Sequence, residues 1–182
     1  MPNFSRFRGY CDMAKRPIVL APDPVLKQTC QPVETIDDDV RLCLEEMLET
    51  MYAAPGIGLS APQIADGRRL IVCDVAREGE PAAPYQMINP EIVWRSDEKV
   101  LAEEGCLSIP DQYGEVSRFR EIRVEYLDPD GAKQEVAADG LFSACIQHEI
   151  DHLDGVLFID YLTPLKRNMI LRKMKKLKRQ QA

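Results

Sequence analysis

The chain has 182 residues, of which 45% are hydrophobic and 29% are charged, a composition typical of one globular domain. Its formal net charge of −7 argues against a general or sequence-specific nucleic-acid binder. No stretch approaches the roughly 18 uninterrupted apolar residues of a membrane helix, and residues 1–16 lack the apolar core of a secretory signal peptide. We therefore expect a cytoplasmic protein that does not interact with membranes.

Residues 1–16 are basic, and we expect them to form a flexible N-terminal extension before a single catalytic domain over 17–182. A short organellar presequence is an alternative interpretation. Met13 would also serve as a start, which leaves open whether residues 1–12 belong to the natural protein. The six cysteines include no C-x-x-C pair, so we expect free thiols, most of them buried, rather than a disulfide framework.

The first predicted helix runs from Asp37 to Tyr52. Its apolar residues fall at helical spacing: Val40, Leu44, Met47, Leu48 and Met51. The run of three aspartates at its start suits the positive end of a helix, and Pro55-Gly56 ends it.

Several short segments after this helix have the composition of strands: 70–75, 85–89, 92–94 and 99–102. Residues 121–127 alternate apolar and polar side chains, and Asp128-Pro129-Asp130-Gly131 then forms a turn into 133–137. This pattern predicts a β-hairpin.

A second helix is predicted over 141–153, where Leu141, Cys145, His148 and His152 fall on one face. Pro164 opens a basic terminal helix that extends to about residue 180. Because strands outnumber helices and do not alternate with them, we expect an α+β fold. Small mixed or antiparallel sheets would then pack around the central second helix.

His148-Glu149-Ile150-Asp151-His152 is an H-E-x-x-H sequence on the second predicted helix, and its histidines are the only two in the chain. Histidines four residues apart on a helix lie one turn above each other and can bind one cation from the same side. The glutamate beside the first histidine is then placed to handle the protons of a metal-bound water. A pair of core or surface histidines without a metal is the alternative interpretation.

Two histidines leave a catalytic metal site one protein ligand short of the usual three. Cys145 shares the helix face but lies roughly 10.5 Å along the axis from His152, too far to bind the same ion. Cys106 lies between Gly105 and Pro110 in a short extended segment that can bring a thiolate and a backbone N–H to one place. We therefore favour Cys106 as the third ligand and expect Cys145 to pack behind the ligands. Taken alone, Cys106 would be interpreted as a buried, inert cysteine.

Three segments resemble, in order, the motifs of the peptide deformylase family: 56–63 (GIGLSAPQ), 104–108 (EGCLS) and 147–152 (QHEIDH). The resemblance extends from about Ile18 to the terminal helix. It implies hydrolysis of the N-formyl group from N-formylmethionine at the start of newly made polypeptides, with release of formate. It also implies ferrous iron as the native metal, with zinc, nickel or cobalt able to occupy the site.

Transferred residue by residue, the resemblance assigns three metal ligands: Cys106, His148 and His152. Glu149 matches the general acid/base, and Gln63 and the backbone N–H of Leu107 match the groups that stabilise the oxyanion. These roles are chemically consistent, because three protein ligands leave one position for water, the nucleophile, whose pKa the cation lowers. A neutral amide and a backbone N–H meet the developing negative charge without competing for the metal.

The side chain of formylmethionine needs an apolar slot beside these groups. The candidate wall residues are Gly56, Ile57, Gly58, Leu59, Glu104, Gly105, Phe142, Cys145 and the aliphatic part of Gln147. Ordinary core packing is the alternative for each of them. Glu104 and Arg118 are expected either to form an ion pair near Cys106 or to lie at the surface. Two residues depart from the family pattern, since Ser60 stands where many members have alanine and Tyr113 where members often have arginine.

The segment from Lys166 to Ala182 contains eight Lys or Arg and no acid, so with a total of −7 the remainder of the chain carries −15. A solvated helix with an apolar stripe explains this segment. The alternative is docking to an anionic surface, for which the ribosome is the natural candidate.

Two other functions compete with a deformylase. An endopeptidase would need a long cleft and typically a third His or Glu ligand. A closed, non-catalytic metal site would need a fourth protein ligand or the loss of Glu149.

Overall fold

The computed structural model describes residues 15–77 and 79–181. Residues 1–14 of the expected N-terminal extension lie outside this part of the chain. Arg16, at the end of the extension, is anchored, because its backbone N–H donates to Thr50 Oγ1 at 3.0 Å. The division of the chain at residue 17 stays a prediction.

Three α-helices lie in the described part of the chain: α1 (Asp38–Ala53), α2 (Gly140–Leu153) and α3 (Pro164–Gln181). Short 3₁₀ helices cover Pro24–Lys27, Ala61–Ile64 and Phe158–Tyr161. Asp37 is the N-cap of α1, since its carboxylate accepts a hydrogen bond from the Val40 N–H at 3.0 Å. Gly155 follows α2 with a φ of +72°, a conformation that favours glycine and ends the helix. All three predicted helices are present within a residue or two.

Within residues 15–77 and 79–181, seven strands form two sheets. The strands are β1 (Gly58–Ser60), β2 (Leu70–Cys73), β3 (Tyr85–Arg95), β4 (Lys99–Cys106), β5 (Ile109–Phe119), β6 (Glu121–Leu127) and β7 (Lys133–Asp139). The larger sheet has the order β1-β2-β3-β6-β7, and β4 and β5 form a separate two-stranded sheet. All hydrogen-bonded neighbours among these strands are antiparallel. The α+β prediction is confirmed.

Several strands differ from the prediction. The segments predicted at 85–89 and 92–94 are one strand, because Asn89 adopts a φ of +52° and a β-bulge carries β3 past Pro90. Neither β1 nor β5 was predicted. Pro110 and Gly114 interrupt the alternation of β5, and Gly114 allows a close approach of the Leu162 side chain, since a Cβ there would lie 2.8 Å from it.

The larger sheet is covered on both faces. Because successive side chains of a strand point to opposite faces, Leu70 and Val72 pack against α1, whereas Ile71 and Cys73 pack against α2. A third core cluster joins β5 to α3 through residues that include Ile109 and Ile170. Helix α2 thus lies between the larger sheet and the β4–β5 hairpin. No helix in the described residues is both long and apolar enough to span a membrane.

Candidate metal centre

Helix α2 carries the H-E-x-x-H residues into the interior. Relative exposures are 8% for His148, 4% for Glu149 and 1% for His152. Burial, followed by the nearby charge of His148, holds the pKa of His152 well below its usual value. The His152 imidazole is therefore neutral, which is the form that binds metal ions.

Cys106 ends β4 at the two-residue turn, Leu107-Ser108, that leads into β5. Its Sγ lies 3.2 Å from Nε2 of His152. One donor atom each from Cys106, His148 and His152 lie within 4.8 Å of one another. Donors that surround one ion at 2.0–2.3 Å lie roughly 3.5 Å apart, so small side-chain movements bring all three into a first coordination shell.

The hydrogen bonds around the histidines fit the same interpretation. Nδ1 of His148 lies 2.8 Å from Oε2 of Glu104, which leaves its Nε2 free for a cation. A carboxylate behind a ligating imidazole fixes its tautomer and orientation. Oε2 of Glu149 is buried and has no hydrogen-bond partner among the described residues, as expected where a further group is to be bound. The donor set of one thiolate and two imidazoles fits a divalent transition metal such as zinc or iron.

Glu104 forms the expected ion pair with Arg118, with Nε–Oε1 and Nη2–Oε2 distances of 2.6 and 3.0 Å. Both side chains are buried, so the surface alternative is wrong. Burial alone would raise the pKa of Glu104, but hydrogen bonds with His148 and Arg118 outweigh it and lower that pKa. The third guanidinium nitrogen of Arg118, Nη1, lies 2.6 Å from Oδ2 of Asp151.

Gln63 lies in the 3₁₀ helix after β1 and is 1% exposed. Its Oε1 accepts hydrogen bonds from the backbone N–H and the hydroxyl of Ser60, both at 2.9 Å. This fixes the amide orientation, because the oxygen is occupied and Nε2 must point the other way. Nε2 then lies 3.2 Å from Oγ of Ser108 and 3.5 Å from Sγ of Cys106. Gln63 therefore presents a donor at the ligand cluster.

Glu149 lies against Gly58 of β1. A Cβ at Gly58 would overlap Oε1 of Glu149 and lie 2.9 Å from Sγ of Cys145, so glycine at this position leaves room for the carboxylate where it now lies. Burial raises the pKa of Glu149 to about 7, a value suited to taking up and releasing a proton near neutrality.

The comparisons with known proteins agree with this geometry. The model of the polypeptide deformylase family matches residues 15–168. The chain belongs to that family. It is 52% identical over 170 residues to the peptide deformylase of Brucella suis, covering 93% of this chain and 97% of that one. It is 56% identical over 164 residues to that of Rhizobium meliloti, covering 90% and 94%.

Solved structures give the same result. The crystal structure of the peptide deformylase of Ehrlichia chaffeensis in complex with actinonin matches with a TM-score of 0.88 at 40% identity, covering 92% of this chain and 99% of that one. The peptide deformylase of Legionella pneumophila matches with a TM-score of 0.86 at 43% identity, covering 92% and 98%. This deformylase is thus an enzyme, a hydrolase.

A cleft of about 580 Å³ opens onto the deformylase site. Six of the predicted wall residues line it: Gly56, Ile57, Gly58, Glu104, Gly105 and Cys145. Leu59 and Phe142 lie outside this lining. Leu59 is fully buried in the core with α1, and the Phe142 ring packs on Tyr85 with centroids 4.8 Å apart. Gln147 is also outside the lining, since its amide bonds to Ser143 and to the backbone of Phe119.

Sequence reasoning missed other parts of the site. Ala144 lines the cleft, and its place on the same helix face as Cys145 and His148 was a usable signal. The partners of Gln63 and the link from Arg118 to Asp151 had no local signal, because each depends on how separate segments meet. Tyr113 lies at the rim with its ring against Gly105, and it is 60% exposed.

Proposed function

We propose that this deformylase hydrolyses the N-formyl group of N-formylmethionine at the start of newly made polypeptides and releases formate. The observation that carries the proposal is one cleft lined by Cys106, His148, Glu149 and Gln63, with a donor atom of His152 within 4.8 Å of those of Cys106 and His148. The resemblance to the family supplies the substrate. Because nascent chains are made in the cytoplasm, this substrate also supports a cytoplasmic location for the enzyme.

The three donor residues would hold a divalent cation, and the resemblance favours ferrous iron, with zinc, nickel or cobalt as substitutes. Such a cation lowers the pKa of a bound water so that hydroxide is available near neutrality. His148 is held for this role by Glu104, and the neutral imidazole of His152 is ready to bind.

Glu149 is the proposed general acid/base, which takes a proton from water and returns it to the departing amine. Its partner-free Oε2 and its pKa of about 7 support this role. Gln63 Nε2 and the backbone N–H of Leu107 are the proposed donors to the oxygen that gains negative charge. The Ser60 hydrogen bonds support the role of Gln63, because a donor that is already oriented needs no reorganisation during the reaction.

The strands beside the cleft support an extended peptide as substrate. β1 is an end strand of the larger sheet, and within the described residues β4 pairs only with β5. Both strands thus have a free edge that can pair with the backbone of a bound peptide. The Cys106 thiol, in place of a third His or Glu ligand, favours a chain terminus over the internal bonds that an endopeptidase cleaves.

The test is anaerobic purification with metal analysis, followed by measurement of formate released from formyl-Met-Ala-Ser. We expect stoichiometric divalent metal, formate release and no internal cleavage of casein. Glu149→Ala should keep the metal and lose turnover. A Glu149→Ala protein that retained both metal and turnover would refute the mechanism. Casein fragments without formate release would refute the function.

We also propose that α3 docks this enzyme to the anionic surface of the ribosome. The packing of α3 supports this, because Ile170 and Met174 are buried against the domain while most of its basic side chains are exposed. Truncating the helix would remove those core residues, so substitution is the better test. Replacing Lys166, Arg172, Lys175, Lys176 and Arg179 by glutamine should weaken salt-dependent ribosome binding and leave turnover of formyl-Met-Ala-Ser unchanged. Unchanged ribosome affinity would exclude this role.

A further inference from the structure

Asp151 is a half-buried acid for which the proposed reaction has no role. It lies inside the H-E-x-x-H sequence, its side chain is 20% exposed, and it is not among the residues that line the cleft. Its Oδ2 accepts from Nη1 of Arg118 at 2.6 Å and from the hydroxyl of Tyr161 at 3.0 Å. A direct contact with substrate is therefore not its function.

Arg118 connects Asp151 to the metal centre. The same guanidinium donates twice to Glu104, whose Oε2 also accepts from Nδ1 of His148 at 2.8 Å. Two carboxylates thus share one guanidinium, and the three side chains together carry one net negative charge. The guanidinium nitrogens of Arg118 donate to both acids at short distance, so neither acid is fully neutralised.

We propose that Asp151 is a positioning residue that strengthens the hold of His148 on the cation, an inference that rests on the proposed metal centre. Asp151 pairs with Nη1 of Arg118 and offsets part of its positive charge. Glu104 therefore keeps more negative charge and accepts a stronger hydrogen bond from the Nδ1–H of His148. An imidazole whose N–H is drawn toward a carboxylate donates more strongly through its other nitrogen. Asp151 therefore acts on the metal through Arg118 and Glu104.

The test is the rate at which the zinc-loaded protein releases its ion to an excess of a chromogenic chelator. Asp151→Asn keeps the shape and the hydrogen-bond acceptor but removes the charge. Loss of a direct partner of a metal ligand typically costs 10–100-fold in metal affinity, so one step further out we expect zinc release about 3–10-fold faster. Asp154→Asn is the matched control, because Asp154 follows the same helix and pairs with Arg69 at 2.7 Å but has no link to His148.

A double substitution separates the proposed path from a general loss of structure. If Asp151 acts through Glu104, adding Asp151→Asn to Glu104→Gln should not accelerate zinc release further. An undiminished effect in that background, or wild-type release from Asp151→Asn, would overturn the proposal. Equal acceleration of zinc release by the control, Asp154→Asn, would also overturn the proposal.

Tyr161→Phe decides the question if Asp151→Asn does not fold. This ring is 51% exposed, and loss of its hydroxyl leaves Asp151 a stronger acceptor for Arg118. Zinc release should then be slower, by up to about 2-fold, whereas simple loosening of the site would make it faster. Unchanged or faster release would count against the proposal. Failure of the wild-type protein to bind one zinc ion would instead refute the metal centre itself.

Discussion

The contact between Gly58 and Glu149 allows a sharp test of the active-site geometry. In Gly58→Ala the new methyl would lie 3.0 Å from Cδ of Glu149, against an ordinary contact of at least 3.4 Å, so that carboxyl must retreat by about 0.4 Å or more. The methyl would also lie 2.9 Å from Sγ of Cys145, which is 7% exposed and donates to the Ile57 carbonyl at 3.4 Å, so this side offers little room. Glu149, whose Oε1 is the nearest atom to the methyl, therefore takes up most of the shift.

A displacement of this size has a known order of magnitude in rate. Since a misplacement of about 1 Å can cost 10²-fold, we expect Gly58→Ala to lower kcat about 10–100-fold, equivalent to about 1.4–2.7 kcal/mol. Overpacking should also cost about 1–3 kcal/mol of unfolding free energy. The metal content should not change, because the three atoms nearest to the methyl belong to Glu149 and Cys145 and none belongs to a proposed ligand.

The assay is formate release from formyl-Met-Ala-Ser, with metal content and urea unfolding measured on the same preparations. Gly67→Ala is the matched control, because a Cβ at Gly67 meets nothing within 4 Å. It should behave as the wild-type protein. A Gly58→Ala enzyme with wild-type kcat would show that the position of Glu149 does not limit catalysis.

Three further outcomes are expected. Iodoacetamide should label Cys106 only after a chelator has removed the metal. Cys30 should stay unlabelled at pH 8 in the folded protein, because burial raises its pKa to about 11. Mass spectrometry of digests distinguishes the two cysteines. Glu149→Gln should keep the metal and lower kcat about 10²–10⁴-fold, and a smaller loss measured by formate release would mean that another group moves the proton. Arg118→Leu should cost about 3–5 kcal/mol of unfolding free energy in urea, because it leaves the buried Glu104 carboxylate without its guanidinium; a loss below 1 kcal/mol would contradict that pairing.

Elements with a local signal were predictable from the sequence. The hairpin strand Glu121–Leu127 has the predicted bounds, since alternation and a strong turn lie within one short segment. Helix α1 begins where its aspartates indicated. β5 could not be found in this way, because Pro110 and Gly114 interrupt its alternation, and the neighbour that packs closely on Gly114 is Leu162, 48 positions later in the chain. Its partner strand β4 was accordingly predicted too short, ending at Ala102 instead of Cys106.

The sequence by itself determined that two imidazoles and a carboxylate share one helix, because a spacing of four residues is one helical turn wherever that helix packs. Only the tertiary structure decided that the Cys106 thiol, 46 residues away in sequence, lies 3.2 Å from His152. It also decided which way the Gln63 amide points and that Glu104, Arg118 and Asp151 form one buried network. The physical reason is that periodicity reports the shape of a segment, whereas the approach of distant segments depends on how the two sheets pack around α2.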